Sequence, residues 1–119
     1  MVSMNVLGIG VDVTDIKRFR DQKMRRNARF IVNTFTEIER EYCYAYKDYA
    51  PHLAGAYAAK EAVRKVYGDT PILFLEIEVR HHASGKPEIW IKGKRSRTFL
   101  ISISHSATVA IAVAFNQLS

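Results

Sequence analysis

The apolar and polar positions of this chain follow a strand period at the start, a helical period through the middle and strand periods to the end. Val6 to Val13 is a short run rich in glycine and β-branched residues, and it reads as a buried strand. From Asp15 to about Phe30, Ile16, Phe19, Met24 and Ala28 recur at irregular but helix-like spacing, so a first helix is expected there. Thr36 followed by Glu39 has capping-box spacing and opens a helix to about Tyr46. Pro51 suits the first turn of the next helix and Gly68 its left-handed stop. Arg64 and Lys65 fall in its last turn, where cations oppose the macrodipole. Between them Ala56, Ala59, Val63, Val66 and Tyr67 form an apolar stripe. Glu61 lies off that stripe, on a flank shared with Lys65.

After Gly68 the period shortens. Ile72 to Arg80 alternates around Leu73, Leu75, Ile77 and Val79. Ser84-Gly85-Lys86-Pro87 marks a turn, and Glu88 to Lys92 returns as a strand. Gly93 to Arg97 is a basic loop, and Phe99–Ser104 and Val109–Phe115 form a further pair around His105-Ser106-Ala107. One strand, then helices, then antiparallel strands in one sheet predict an α+β domain. With 119 residues the chain is long enough for one core, so residues 1–119 are expected to form a single domain.

Composition adds a compartment and a class of partner. Hydrophobic residues make up 48% and charged residues 25%, the balance of a globular protein. The single cysteine, Cys43, cannot form an internal disulfide; it is expected as a small filler on a helix in a reducing compartment. With no signal-like start and no apolar run of membrane-spanning length, a cytoplasmic location without membrane attachment is expected. The net charge of +6 favours an anionic partner. The densest feature is the early cluster of Lys17, Arg18, Arg20, Lys23, Arg25, Arg26 and Arg29, whose excess over Asp15 and Asp21 suggests an acidic protein surface. Phosphate-backbone binding would use the same residues, so a basic nucleic-acid-binding α+β module is the alternative reading. No nucleic-acid-binding motif accompanies them.

Asp12 ends an apolar run and can serve either as an N-cap or as a metal ligand. Glu61 is either a solvated helix residue or the second carboxylate of a hard-cation site, with Lys60, Arg64 and Lys65 nearby. Lys65 can reach a phosphate as a point charge and Arg64 as a fork, or either can cap the helix end. Ser102, Ser104 and His105 lie where a late strand turns over, but no nucleophile elbow is present. His105 is the better candidate for a ligand contact. His52, His81 and His82 lack zinc-ligand spacing and are expected at the surface.

In order and spacing, several of these segments resemble the small holo-acyl-carrier-protein synthases, the bacterial type of 4′-phosphopantetheinyl transferase. They are Gly8-Ile9-Gly10-Val11-Asp12-Val13-Thr14-Asp15-Ile16-Lys17-Arg18, Phe35-Thr36 with Glu39, Leu53-Ala54-Gly55 and Tyr57-Ala58-Ala59-Lys60-Glu61-Ala62. Lys65, Gly68, Glu76-Ile77-Glu78-Val79, Gly85-Lys86-Pro87 and Ser102-Ile103-Ser104-His105-Ser106 complete the set. The resemblance implies transfer of the 4′-phosphopantetheine arm from coenzyme A to a serine of apo acyl carrier protein, releasing adenosine 3′,5′-bisphosphate. It implies Mg²⁺ on Asp12 and Glu61, a catalytic role for both acids and for Lys65, and homotrimers with active sites between subunits. Lys60, Arg64, Lys65, Gly68 and His105 are expected at coenzyme A. Arg18, Arg25, Arg26 and Arg29 are expected at the acidic carrier protein, and nucleic acid is not an expected partner. Ala56 stands where many members have arginine, so one nucleotide-phosphate contact is expected to be either absent or replaced, with Arg64 as a candidate replacement.

Overall fold

Strand β1 (Val6–Asp15) lies at one edge of an antiparallel sheet ordered β1-β6-β5, in a computed structural model that describes residues 6–117. β5 is Phe99–His105 and β6 is Val109–Gln117. The register pairs Gly10 with Ala114, Asp12 with Ala112 and Thr14 with Ala110. Those rows face helix α3 (Ala50–Tyr67), the longest helix described. The alanines leave room for the helix, and Gly10 has no alternative. A Cβ there would stand 2.0 Å from the Ala62 carbonyl oxygen. Helix and strand therefore touch backbone to backbone where the functional side chains emerge.

Helix α2 (Glu37–Tyr44) opens on the expected capping box. Thr36 Oγ1 accepts from Glu39 N, and Glu39 Oε1 accepts from Thr36 N. Cys43 is buried on this helix, and burial pushes its thiol up to about 12, the behaviour of an inert filler. Pro51 falls in the first turn of α3, and Gly68 ends it at φ 59°, the left-handed region open to glycine. The second sheet contains β2 (Ile77–His81), β3 (Pro87–Ile91) and β4 (Lys94–Arg95).

Two expectations are corrected. The antiparallel strands do not form one sheet; among the described residues they form two of three strands each, with the turn at Gly93 folding the basic segment back on β3 as β4. The α+β order itself holds. The early basic segment is not one helix either. It comprises 3-10 turns at Ile16–Phe19 and Gln22–Met24 and a short α1 (Arg29–Thr34). Ile16 and Phe19 are buried three residues apart, the repeat of a 3-10 turn, and no fully buried apolar residue follows before Ile31. Without an apolar stripe, the closely spaced cations have nothing to hold them in a continuous helix.

Candidate functional site

Most of the circumference of α3 is buried, and Tyr57, Glu61, Arg64 and Lys65 occupy its more open flank. That flank meets the end of β1. Lys65 Nζ donates to the Val11 carbonyl at 2.8 Å and to Asp12 Oδ1 at 3.3 Å. Thr14 Oγ1 donates to Asp12 Oδ2 at 2.8 Å, which leaves each carboxylate oxygen of Asp12 with a donor. Asp12 is largely shielded, with 16% of its side chain exposed, whereas Lys65 is 53% exposed. One helical turn back, Glu61 is half-buried beside Tyr57 and Arg18. Burial pushes the Tyr57 hydroxyl up, the Glu61 charge adds to this, and Arg18 opposes it.

Asp12, Glu61 and Lys65 are thus gathered on one flank. Among the described residues no group of three or more His, Cys, Asp or Glu could hold a metal ion. Two carboxylates fit a hard cation that keeps its remaining positions for water and phosphate oxygens, as Mg²⁺ does, and would not fit a dedicated protein cage. Arg64 stands on the same flank with its guanidinium 4.4 Å from the Phe74 ring centroid. Gly68 follows at the helix end with open space around its Cα.

Lys60 is a correction. It is fully buried and cannot reach a nucleotide. Its ammonium donates to Glu39 Oε1 and to the Ile77 carbonyl, both at 2.6 Å. Glu39 Oε2 in turn accepts from Val79 N at 2.7 Å. Burial pushes the Glu39 carboxyl up and the Lys60 ammonium down, and each charge opposes the shift of the other. The pair ties α2, α3 and β2 together. Position 60 points there because five residues rotate a helix by about 140° relative to Lys65.

His105 is exposed at the end of β5, in the cross-strand row of Ala110 and Thr14. It borders a cavity of about 160 Å³ whose lining includes Tyr42, His52, Ala56, His81 and Ile103. His52 and His81 were expected at the surface and are half-buried instead. The His52 ring stacks on Tyr46 at 3.5 Å, and His81 stacks on Tyr42 at 3.8 Å. No motif joins these residues, because they come from α2, α3 and β2 and meet only through tertiary packing. A hollow of about 840 Å³ beside Lys86, Arg95 and Arg97 is larger but includes none of the candidate side chains.

The early cations remain outside both places, with Arg18 as an exception. Its guanidinium lies 4.7 Å from the Tyr57 ring centroid and 5.4 Å from that of Phe30, which holds it beside Glu61. Arg25, Arg26 and Arg29 are exposed. Arg20 instead pairs with Asp48 at 2.7 Å.

Residues 8–114 match the family model of the 4′-phosphopantetheinyl transferase superfamily. A holo-[acyl-carrier-protein] synthase of Protochlamydia amoebophila (strain UWE25) is 40% identical over 116 residues, covering 91% of this chain and 95% of that protein. A holo-(acyl-carrier-protein) synthase from Bacillus anthracis str. Ames, solved in complex with CoA (3′,5′-ADP), superimposes with a TM-score of 0.80 at 32% identity. The match covers 98% of this chain and 100% of that one. The Helicobacter pylori holo-[acyl-carrier-protein] synthase in complex with coenzyme A gives 0.74 at 28% identity, over 89% and 96% of the two chains.

Proposed function

The chain belongs to the 4′-phosphopantetheinyl transferase superfamily, and we propose the machinery by which it moves the 4′-phosphopantetheine arm of coenzyme A onto a serine of apo acyl carrier protein. Asp12 and Glu61 would hold Mg²⁺, and Lys65 neutralises the phosphate that leaves with adenosine 3′,5′-bisphosphate. The observation that carries this is the contact of Lys65 with Asp12 on the flank of Glu61. The serine oxygen forms the new bond to phosphorus as the bond to the leaving nucleotide phosphate breaks, and the serine proton passes to Glu61, to Asp15 or to water. A bound Mg²⁺ supplies charge neutralisation on the pyrophosphate oxygens during that exchange. Asp12 is held for the task by Thr14, and Lys65, free to swing from its carbonyl contact, follows the charge onto the leaving group. The nucleophile comes from the partner, so no serine of this chain need be activated.

The working form is a homotrimer acting in the cytoplasm, with each site shared between two subunits. Glu61 and His52 are nine residues apart on α3, about 180° around the helix, so one subunit turns its acids and its histidine-lined cavity in opposite directions. One coenzyme A molecule reaches both when the cavity belongs to a neighbour. The outer face of the β1-β6-β5 sheet suits such an assembly. Leu7, Ile9, Val11 and Val13 are each more than half exposed, and Ile111 and Phe115 continue the face across β6. Arg25, Arg26 and Arg29 offer an exposed basic surface for the carrier protein.

The test is mass spectrometry of an apo acyl carrier protein incubated with this protein and coenzyme A, with Mg²⁺ or with excess chelator. Gain of the phosphopantetheine mass only with Mg²⁺ is the expected result. Equal gain in chelator would remove the metal from the proposal.

A further inference from the structure

We propose that Leu73 and Leu75, on the turn that precedes β2, form the apolar centre of the surface that receives the carrier protein, and that they select carriers whose accepting serine is flanked by exposed apolar side chains. This rests on the functional reading above and names the residues that read the partner.

In sequence, Leu73 and Leu75 share the alternation of Ile77 and Val79, so one continuous strand would turn all four to the core. The chain does otherwise. A 3-10 turn, Phe74–Glu76, precedes β2. Glu76 N donates to the Leu73 carbonyl at 3.0 Å, and Leu73 N donates to Glu76 Oε1 at 2.9 Å. The turn shifts the phase of the pattern. Ile72, Ile77 and Val79 are buried, whereas Leu73 is 69% exposed and Leu75 47%. One exposed leucine means little, but two held outward on a turn closed by two hydrogen bonds form a standing apolar surface. α1 packs against this turn and brings Val32, itself 39% exposed.

Position and charge identify the occupant. Phe74, between the two leucines, stacks on Tyr57 with centroids 5.6 Å apart and carries the Arg64 guanidinium over its ring. Tyr57 in turn holds Arg18 and lies beside Glu61. The leucines therefore border the flank at which the partner's serine has to arrive. Arg18 and Arg64 are exposed there, and Arg29 precedes Val32 by one turn of α1. An apolar centre with a cationic rim is the anatomy of a protein docking surface, and its charge matches an acidic protein such as the carrier. A second copy of this chain, at a net charge of +6, would bring like charge to the same rim.

Steady-state transfer with apo acyl carrier protein and coenzyme A varied in turn tests this in Leu73→Ser and Leu75→Ser. Each should raise KM for the carrier roughly tenfold, the scale of one apolar anchor lost from an interface, while kcat and KM for coenzyme A stay near wild type. Raising salt should leave those ratios as they are, because the lost contact carries no charge. Leu73→Met and Leu75→Met, which keep the apolar surface, should recover most of the wild-type carrier KM. A carrier whose apolar side chains beside the serine are changed to serine should lose the same factor with wild type and nothing further with Leu73→Ser. An unchanged carrier KM in Leu73→Ser and Leu75→Ser overturns the proposal, as does an equal loss in the methionine variants. A rise in coenzyme A KM alone would assign the leucines to the phosphopantetheine arm, and a changed oligomeric state in native mass spectrometry would assign them to a contact between copies. Either overturns it. Absence of transfer by wild type, read by mass spectrometry, removes the functional reading and this inference together, whereas transfer with an unchanged carrier KM in the variants removes this inference alone.

Discussion

Lys60 and Lys65 lie five residues apart on one helix, and each faces a carboxylate. Lys60 is fully buried at 2.6 Å from Glu39, while Lys65 is half-exposed at 3.3 Å from Asp12. The first ammonium also binds a carbonyl, and its acid accepts two backbone N–H groups. Nothing there is left over for a ligand. The second pair is looser, and both partners have capacity to spare. A tight, fully satisfied ion pair specifies the fold, and a loose one beside a second carboxylate is where chemistry can enter. The contrast also explains why burial matters more than motif membership in assigning roles along α3.

The strongest way to break the contrast is to remove the acids of the open flank. Asp12→Ala and Glu61→Ala should each lower transfer by roughly a thousandfold or more, the scale of losing a metal that stabilises the transition state. Circular dichroism and melting should remain close to wild type, since the contact between elements lost with Asp12 is a half-exposed ion pair at 3.3 Å. Mixing Asp12→Ala with His105→Ala subunits should restore part of the activity, because some assembled sites then combine intact halves. Absence of any rescue, with exchange of subunits verified by native mass spectrometry, would place both halves in one subunit.

Next, the two lysines can be exchanged for methionine. Lys60→Met leaves the Glu39 carboxylate buried and unpaired, and should cost about 3–5 kcal/mol in urea unfolding. Lys65→Met, at an exposed pair, should change stability by no more than about 1 kcal/mol. Its cost should appear instead in turnover, roughly ten- to a thousandfold for one electrostatic contact. A Lys65→Met protein with wild-type kinetics would reduce that residue to a helix-end cation. A Lys60→Met protein of wild-type stability would mean the buried pair carries no net stabilisation.

Much of the arrangement was legible because local rules enforce it. The capping box at Thr36 and Glu39, Pro51 in the first turn and Gly68 at the stop are decided by backbone groups a few residues away. The flank of Glu61 and Lys65 follows from helical period alone. Lys60 was misread because the identity of its partner depends on Glu39, twenty-one residues earlier, and on β2. The histidine-lined cavity was missed for the same reason: His52, His81 and His105 are brought together by packing, with no spacing to announce it. The basic segment was overread as a helix because cations are good helix formers, while continuity needs a buried stripe that it lacks.

That basic segment supplies the smallest expected effect. Arg25 is exposed on the rim, whereas Arg18 is packed on the rings of Tyr57 and Phe30 beside Glu61. Charge reversal should therefore act differently at the two positions. Arg25→Glu should raise KM for acyl carrier protein several-fold, leave KM for coenzyme A nearly unchanged, and make the remaining rate less sensitive to salt, since rim charges chiefly steer encounter. Arg18→Glu should raise the carrier KM as well, and should also lower kcat, because it places a carboxylate beside Glu61 and withdraws a cation from three aromatic rings. Steady-state kinetics with each substrate varied in turn reads both. Equal effects of the two reversals on every constant would show that Arg18 is only another rim charge, and its packing against Tyr57 would then have no bearing on the flank of Glu61.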